Sequence, residues 1–178
     1  MDSKILCHDD FLSTSDFLML QNCILGSSNE NRFPWTWGAV DPPYEVEKSD
    51  LKEIDNHQLF HWVYFQDMYV STPDICQKVM PIMANKVIDV RSLIKIKINC
   101  NTRTSNIVEH MFHTDVENYD SKTGILYVNT CNGYTEFENG TKVESKANRF
   151  IEFDSKLKHR GTTCTDEKRR VVINLNYF

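Results

Sequence analysis

Ile94, Ile96 and Ile98 alternate with Lys95 and Lys97. Successive strand side chains point to opposite faces, so this period of two predicts a half-buried strand with one apolar face turned to a core. Similar short segments recur to the C-terminus, at 92–100, 105–113, 124–130, 134–138, 141–145, 149–153, 158–163 and 169–177. Asn139-Gly140 between two of them signals a hairpin, because both residues tolerate positive φ. Many closely spaced strands behind a more helical N-terminal part predict a mainly β jelly-roll or barrel-like sheet with flanking helices.

The first half reads differently. Ser13-Thr14-Ser15-Asp16 looks like a helix start, and Phe17, Leu20 and Ile24 follow at helical spacing until Gly26 stops the run. Residues 27–48 are rich in Ser, Asn, Pro and Gly around Trp35 and Trp37, which predicts an irregular segment pinned by aromatics, its tryptophans either anchored on the core or bordering a groove. Leu59 to Val70 favours a strand. Thr72-Pro73 then supplies a cap and a first-turn proline, and Pro81 is expected to start a second short helix rather than sit inside one.

The 178 residues suffice for one domain, 1–178, divided into a helical, substrate-shaping part at 1–91 and a jelly-roll core at 92–178. No apolar run approaches the roughly 20 residues that span a bilayer, so no membrane partner is expected. Met1-Asp2-Ser3-Lys4-Ile5 lacks a secretory signal, which makes a cytoplasmic location the expectation and the Asn139-Gly140-Thr141 glycosylation match idle. The six cysteines contain no C-x-x-C pair and read as reduced thiols. A net charge of -5 without a basic block gives no support to nucleic-acid binding, and nothing in the sequence sets an oligomeric state.

His113-Thr114-Asp115, His159 and Arg170 carry the chemistry. Two imidazoles and one carboxylate, two of them close together and the third far downstream, are the residue set that holds non-haem Fe(II) while leaving coordination positions open. Residues two apart at a strand end share a side, so His113 and Asp115 can face one ion. His110, three residues upstream, is expected to face the other way. His57 and His61 have the spacing of a helical metal pair, but Phe60, Trp62, Tyr64 and Phe65 around them favour strand and core packing. Residues 116–123 read either as a lid or as a solvated loop.

From Leu93 to Phe178 the chain resembles the 2-oxoglutarate and Fe(II)-dependent oxygenases, particularly the prolyl-4-hydroxylase-like branch and its small viral and bacterial relatives. The resemblance rests on the ordered set His113-Thr114-Asp115, Ile125-Leu126-Tyr127-Val128-Asn129, Gly133-Tyr134-Thr135, His159-Arg160-Gly161 and Arg170-Val171-Val172-Ile173-Asn174. It implies a double-stranded β-helix of cupin-like type, with Fe(II) on His113, Asp115 and His159, and with 2-oxoglutarate and O2 as cosubstrates. An arginine would take the distal carboxylate of 2-oxoglutarate, since its fork donates two parallel hydrogen bonds. Arg169 and Arg170 are both candidates. The family's register favours Arg170, leaving Lys168 and Arg169 as surface charge. Tyr127 matches a position where relatives place a hydroxyl on the same carboxylate.

The implied reaction converts 2-oxoglutarate and O2 to succinate and CO2 while hydroxylating a substrate. Asp115 stands where halogenating relatives have a small residue, so hydroxylation is the expected outcome. A protein prolyl residue is the first substrate suggested by the branch, with a small molecule or a nucleobase as alternatives. Two other functions compete: a catalytically silent jelly-roll binding module, and a cupin-like metal enzyme that does not use 2-oxoglutarate.

Overall fold

The computed structural model describes residues 4–26 and 33–178. The chain runs β1 (Leu6–His8), α1 (Thr14–Leu25), β2 (Thr36–Gly38), α2 (Pro43–Val46), a 3-10 turn (Glu53–Asp55), β3 (Gln58–Phe65), β4 (Met68–Tyr69) and α3 (Pro73–Met83). It continues through β5 (Leu93–Thr102), β6 (Lys122–Tyr127), β7 (Tyr134–Phe137), β8 (Lys142–Glu144), β9 (Phe150–Asp154), β10 (His159–Gly161) and β11 (Arg169–Tyr177). The start of the segment expected to be irregular, at 27–32, lies outside the described residues.

The helices form for the reasons their sequences suggest. The Ser13 hydroxyl accepts the Asp16 N–H at 3.2 Å, which satisfies one of the free donors at the start of α1. Gly26, at φ 80°, ends the helix by donating its N–H to the Asn22 carbonyl. Phe17, Leu20 and Ile24 form the buried stripe. Thr72 caps α3 and Pro73 occupies its first turn, while Ile75, Val79 and Ile82 are buried. Pro81 does not start a new helix: it lies inside α3. Its ring cannot donate to the Gln77 carbonyl, but in the last turn the cost is small because the helix is about to end.

The strands make a jelly roll of two antiparallel sheets. The larger has eight strands in the order β1-β9-β6-β11-β5-β3-β2, with β4 paired to β3; the smaller is β10-β7-β8. The N-terminal part therefore supplies strands at both ends of the larger sheet rather than helices alone. On one face of that sheet Ile96, Ile98, Val171, Ile173 and Leu175 pack with α1 and α3 residues in the main apolar cluster. On the other face Ile125, Tyr127, Ile151, Phe153 and Val172 meet Phe137 of the smaller sheet. Among the described residues no helix is long and apolar enough to cross a membrane.

Three local expectations change. The single strand expected over 59–70 is the hairpin β3–β4, turning at Gln66 and Asp67, both at positive φ without a glycine to mark the turn. At Asn139-Gly140 only Gly140 is at positive φ. Its N–H closes on the Phe137 carbonyl at 2.8 Å, so the turn starts earlier than a two-residue loop would. The strand expected at 105–113 is not a continuous ladder; that segment pairs with β10 and the residue after it through the isolated bridges Glu109↔Thr162 and His113↔His159.

Candidate metal centre and cosubstrate cavity

Between those two bridges the upstream segment advances four residues, from 109 to 113, while β10 advances three, from 162 to 159. One extra residue is a bulge, and it reverses the side-chain facing that a regular strand would impose. Before the bulge the His110 N–H bonds the Gly161 carbonyl at 3.1 Å; after it the His113 N–H bonds the His159 carbonyl at 2.9 Å. His110 and His113, three apart, consequently line the same cavity with Gly161 and His159, against the expectation that His110 would face away.

His113, Asp115 and His159 each present a ligand atom, all within 4.8 Å of one another. His113 Nδ1 lies 3.2 Å from Met111 O, and His159 Nδ1 lies 3.0 Å from Leu157 O. A carbonyl only accepts, so both Nδ1 atoms carry the hydrogen and both Nε2 lone pairs are free. His159 Nε2 is 3.4 Å from Asp115 Oδ2. Thr123 and Asn174 each donate to that oxygen at 3.1 Å, and Lys95 reaches Oδ1 at 3.4 Å. Burial alone would raise the Asp115 carboxyl, but the His159 imidazole, the Lys95 ammonium, His113 and the Asn174 hydrogen bond outweigh it and hold the group ionised, well below the usual range. Burial pushes His159 down, against the opposing pull of the Asp115 carboxylate. Two imidazoles whose Nδ1 atoms are turned to backbone carbonyls, beside an anchored carboxylate, are the donor set Fe(II) takes, so the residues fit that ion.

Arg170 lies in the same cavity and is buried. Its Nε donates to Ser145 Oγ at 2.7 Å and its Nη2 to Thr135 Oγ1 at 3.0 Å. No carboxylate among the described residues pairs with it, which leaves a desolvated guanidinium in want of an anion. The approach depends on glycine: a Cβ on Gly133 would lie 2.6 Å from Arg170 Cδ and 2.5 Å from Thr163 O. Arg169 points elsewhere and donates to Leu25 O. Tyr127 does not line the cavity; its hydroxyl ends on Thr135 Oγ1 at 2.8 Å, and the Arg170 guanidinium sits 5.5 Å from its ring centroid. It backs the residues of the wall rather than forming part of it.

The cavity measures about 250 Å³. Several of its wall residues read in the sequence only as the polar alternates of half-buried strands: Lys95, Lys97, Asn99 and Asn101 on β5, and Asn174 on β11. A signal is present, since polar residues recur at every second position of β5 and meet polar residues of β11 in register, Asn101 opposite Arg170 and Lys97 opposite Asn174, with Val172 interrupting the pattern on β11. The remaining candidates lie outside this cavity, and of the two tryptophans Trp37, with His57, borders a separate surface groove. His61 bonds Pro34 O and Ser71 Oγ, His57 stacks on Trp37 at 4.7 Å, Trp35 packs against the core, and Trp37 is largely exposed.

No protein-family model matches the sequence, and a search of curated proteins finds no match. Solved structures do match over nearly the whole chain. A prolyl hydroxylase from Trichoplax adhaerens, in complex with a hypoxia inducible factor oxygen degradation domain peptide fragment, superposes with a TM-score of 0.62 at 15% identity, covering 98% of this chain and 83% of that one. A Pseudomonas putida prolyl-4-hydroxylase gives 0.57 at 12% identity, over 99% of this chain and 93% of that one. An oxidoreductase of the 2OG-Fe(II) oxygenase family from Burkholderia pseudomallei gives 0.66 at 8% identity, over 98% and 84%. The fold is that of the 2-oxoglutarate/Fe(II) oxygenases.

Proposed function

We propose that this chain, built on the fold of the 2-oxoglutarate/Fe(II) oxygenases, works as one of them: a hydroxylase that consumes 2-oxoglutarate and O2 and releases succinate and CO2. One observation carries the reading. A His-Asp-His cluster and a buried guanidinium without a carboxylate partner face a single small cavity.

Here His113, Asp115 and His159 would hold Fe(II), and Arg170 would receive the distal carboxylate of 2-oxoglutarate. When bound, the iron with 2-oxoglutarate and O2 supplies the oxidising equivalents, one oxygen atom ending in succinate and the other in the substrate hydroxyl. The chain's own residues do the rest. The carbonyls of Met111 and Leu157 fix the tautomers of the two imidazoles. Thr123, Asn174 and Lys95 hold the Asp115 carboxylate in place and ionised. Ser145 and Thr135 orient the Arg170 fork, with Tyr127 supporting Thr135 from behind.

A silent binding module has no physical need for a desolvated, unpaired arginine, and a cupin-like enzyme without 2-oxoglutarate leaves the same cation unexplained. Arg170→Met tests the assignment. A lost charge-assisted bidentate contact costs about 3 kcal/mol or more, so 2-oxoglutarate affinity should fall about 100-fold while Fe(II) affinity is kept. Unchanged 2-oxoglutarate affinity in a folded Arg170→Met protein would favour the cupin-like enzyme. Succinate release with proline-rich peptides, compared with release without them, tests the prolyl version of the substrate.

A further inference from the structure

The charged residues on the cavity wall are Lys95, Lys97, Arg170 and Asp115, three cations against one anion. With histidines counted neutral, the cavity therefore carries +2 inside a chain whose net charge is -5. On the reading above, Fe(II) and the 2-oxoglutarate dianion add no net charge, so +2 remains after both are bound, one unit of it on the iron and one on the wall. Arg170 is then matched by the cosubstrate and Lys95 by Asp115. Lys97 is the cation left over: among the described residues it makes no hydrogen bond or ion pair. Its ammonium sits 4.7 Å from the Phe60 ring centroid and 5.2 Å from that of Trp62, over two aromatic faces. Burial, with Lys95 beside it, pulls Lys97 down to about 8, which marks a cation short of solvation and of a partner.

Register places this charge. Arg170 lies opposite Asn101 on β5, and Asn174, whose amide holds the Asp115 carboxylate, lies opposite Lys97. The two positions are four strand residues apart, which at the usual rise per residue is roughly 13 Å. Lys97 is thus level with the metal cluster, while Arg170 is at the far end of the wall. Further unpaired groups line the same space. His110 is buried, and among the described residues neither ring nitrogen has a hydrogen-bond partner, its Nδ1 lying 3.5 Å from Asp41 Oδ2. The side-chain oxygens of Asn99 and Asn101 also lack partners. Such acceptors suit a ligand that brings N–H or O–H donors.

We infer that Lys97 is the anchor for a carboxylate on the molecule to be hydroxylated, so that the substrate is a small acid bearing hydrogen-bond donors or an acidic side chain inserted from a peptide. This deepens, and rests on, the oxygenase reading. The cavity volume of about 250 Å³ falls just below the usual size of small-molecule sites and admits little more than the cosubstrate and one such group.

The test is an anaerobic titration of the protein loaded with Fe(II) and 2-oxoglutarate, followed by calorimetry and by the visible charge-transfer band of the chelated iron. The probes are L-aspartate, L-glutamate and an Asp-containing tripeptide with blocked ends, with N-acetyl-L-asparagine amide, N-acetyl-L-proline amide and an end-blocked proline-rich peptide as uncharged controls that carry no carboxylate. At least one acid should bind tenfold or more tightly than every uncharged control; a free amino acid or the blocked peptide as the tightest probe tells a metabolite from a side chain. In Lys97→Met that affinity should fall at least tenfold, Lys97→Arg should restore much of it, and 2-oxoglutarate affinity should change less than twofold. Equal binding of the uncharged controls, no binding of any acid, or a Lys97→Met protein that loses 2-oxoglutarate instead would each overturn the inference. Absence of the band in the wild-type protein would overturn the oxygenase reading beneath it.

Discussion

The two faces of β5 and β11 follow the same two-residue period and have opposite physical characters. On the helix side Ile96, Ile98, Val171, Ile173 and Leu175 are fully buried among apolar neighbours. On the cavity side Lys95, Lys97, Asn99, Asn101, Arg170 and Asn174 bring charges and amides to the cavity wall, where the Asn99, Asn101 and Asn174 side-chain oxygens have no hydrogen-bond partner among the described residues. Burying unpaired polar groups costs stability, and the cost is recovered only when a ligand completes them. One face holds the fold; on the proposed function the other is completed by bound molecules.

That contrast can be broken most forcefully at the metal cluster. Asp115→Ala should lower 2-oxoglutarate turnover at least about 100-fold, since it removes a proposed ligand rather than a supporting group whose loss costs roughly 10–100-fold. The variant should still unfold cooperatively. On the opposite face Ile98→Ala should show the reverse pattern, a loss of about 2–5 kcal/mol in chemical denaturation with 2-oxoglutarate affinity unchanged in the folded fraction.

Asn174→Leu sharpens the comparison, because it changes a cavity-side amide to an apolar group of similar shape. The change removes an unpaired amide oxygen but also takes one donor from the buried Asp115 carboxylate, which keeps Thr123, so the two effects oppose and stability should change by no more than about 1 kcal/mol. Fe(II) affinity should nevertheless fall about tenfold, as Asp115 loses a donor that orients it. A large stability loss in this variant would mean that the two faces do not divide their roles in this way.

The smallest effect lies away from both faces, where Asp9 pairs with Arg149 and Lys146. Its hydrogen bonds to Arg149 and then to Lys146 hold the carboxyl well below the usual range. A depressed folded pKa stabilises above the unfolded value of about 3.9 and stops doing so as pH falls toward the folded one. Asp9→Asn should therefore cost less than about 1 kcal/mol at neutral pH, given its exposure, with the difference from wild type shrinking as the pH drops below about 4.

The sequence reports periodicity well and facing less well. Alternation on Ile94–Ile98 locates β5, and the Ser13 and Thr72 caps locate α1 and α3, because these signals are local. The ordered residues His113, Asp115, His159 and Arg170 are legible as a set, and the structure brings all four to one cavity. The facing of His110 is not legible, because a one-residue bulge opposite β10 depends on pairing between distant segments. Lys97 and Asn99 read as solvated alternates because a period of two says which residues share a face, not what covers that face. Tyr127 sits in the expected register, yet the Thr135 side chain from another strand stands between its hydroxyl and the cavity. Gln66-Asp67 turns a strand into a hairpin without the glycine that announces such turns.

The most direct measurement is an anaerobic titration of the protein with Fe(II) and then 2-oxoglutarate, in wild type and in His113→Ala, watching for a visible charge-transfer band. The account predicts a band that needs both additions and is absent from the folded variant. A wild-type protein that binds Fe(II) but shows no band with 2-oxoglutarate, or a band that persists in His113→Ala, would contradict it.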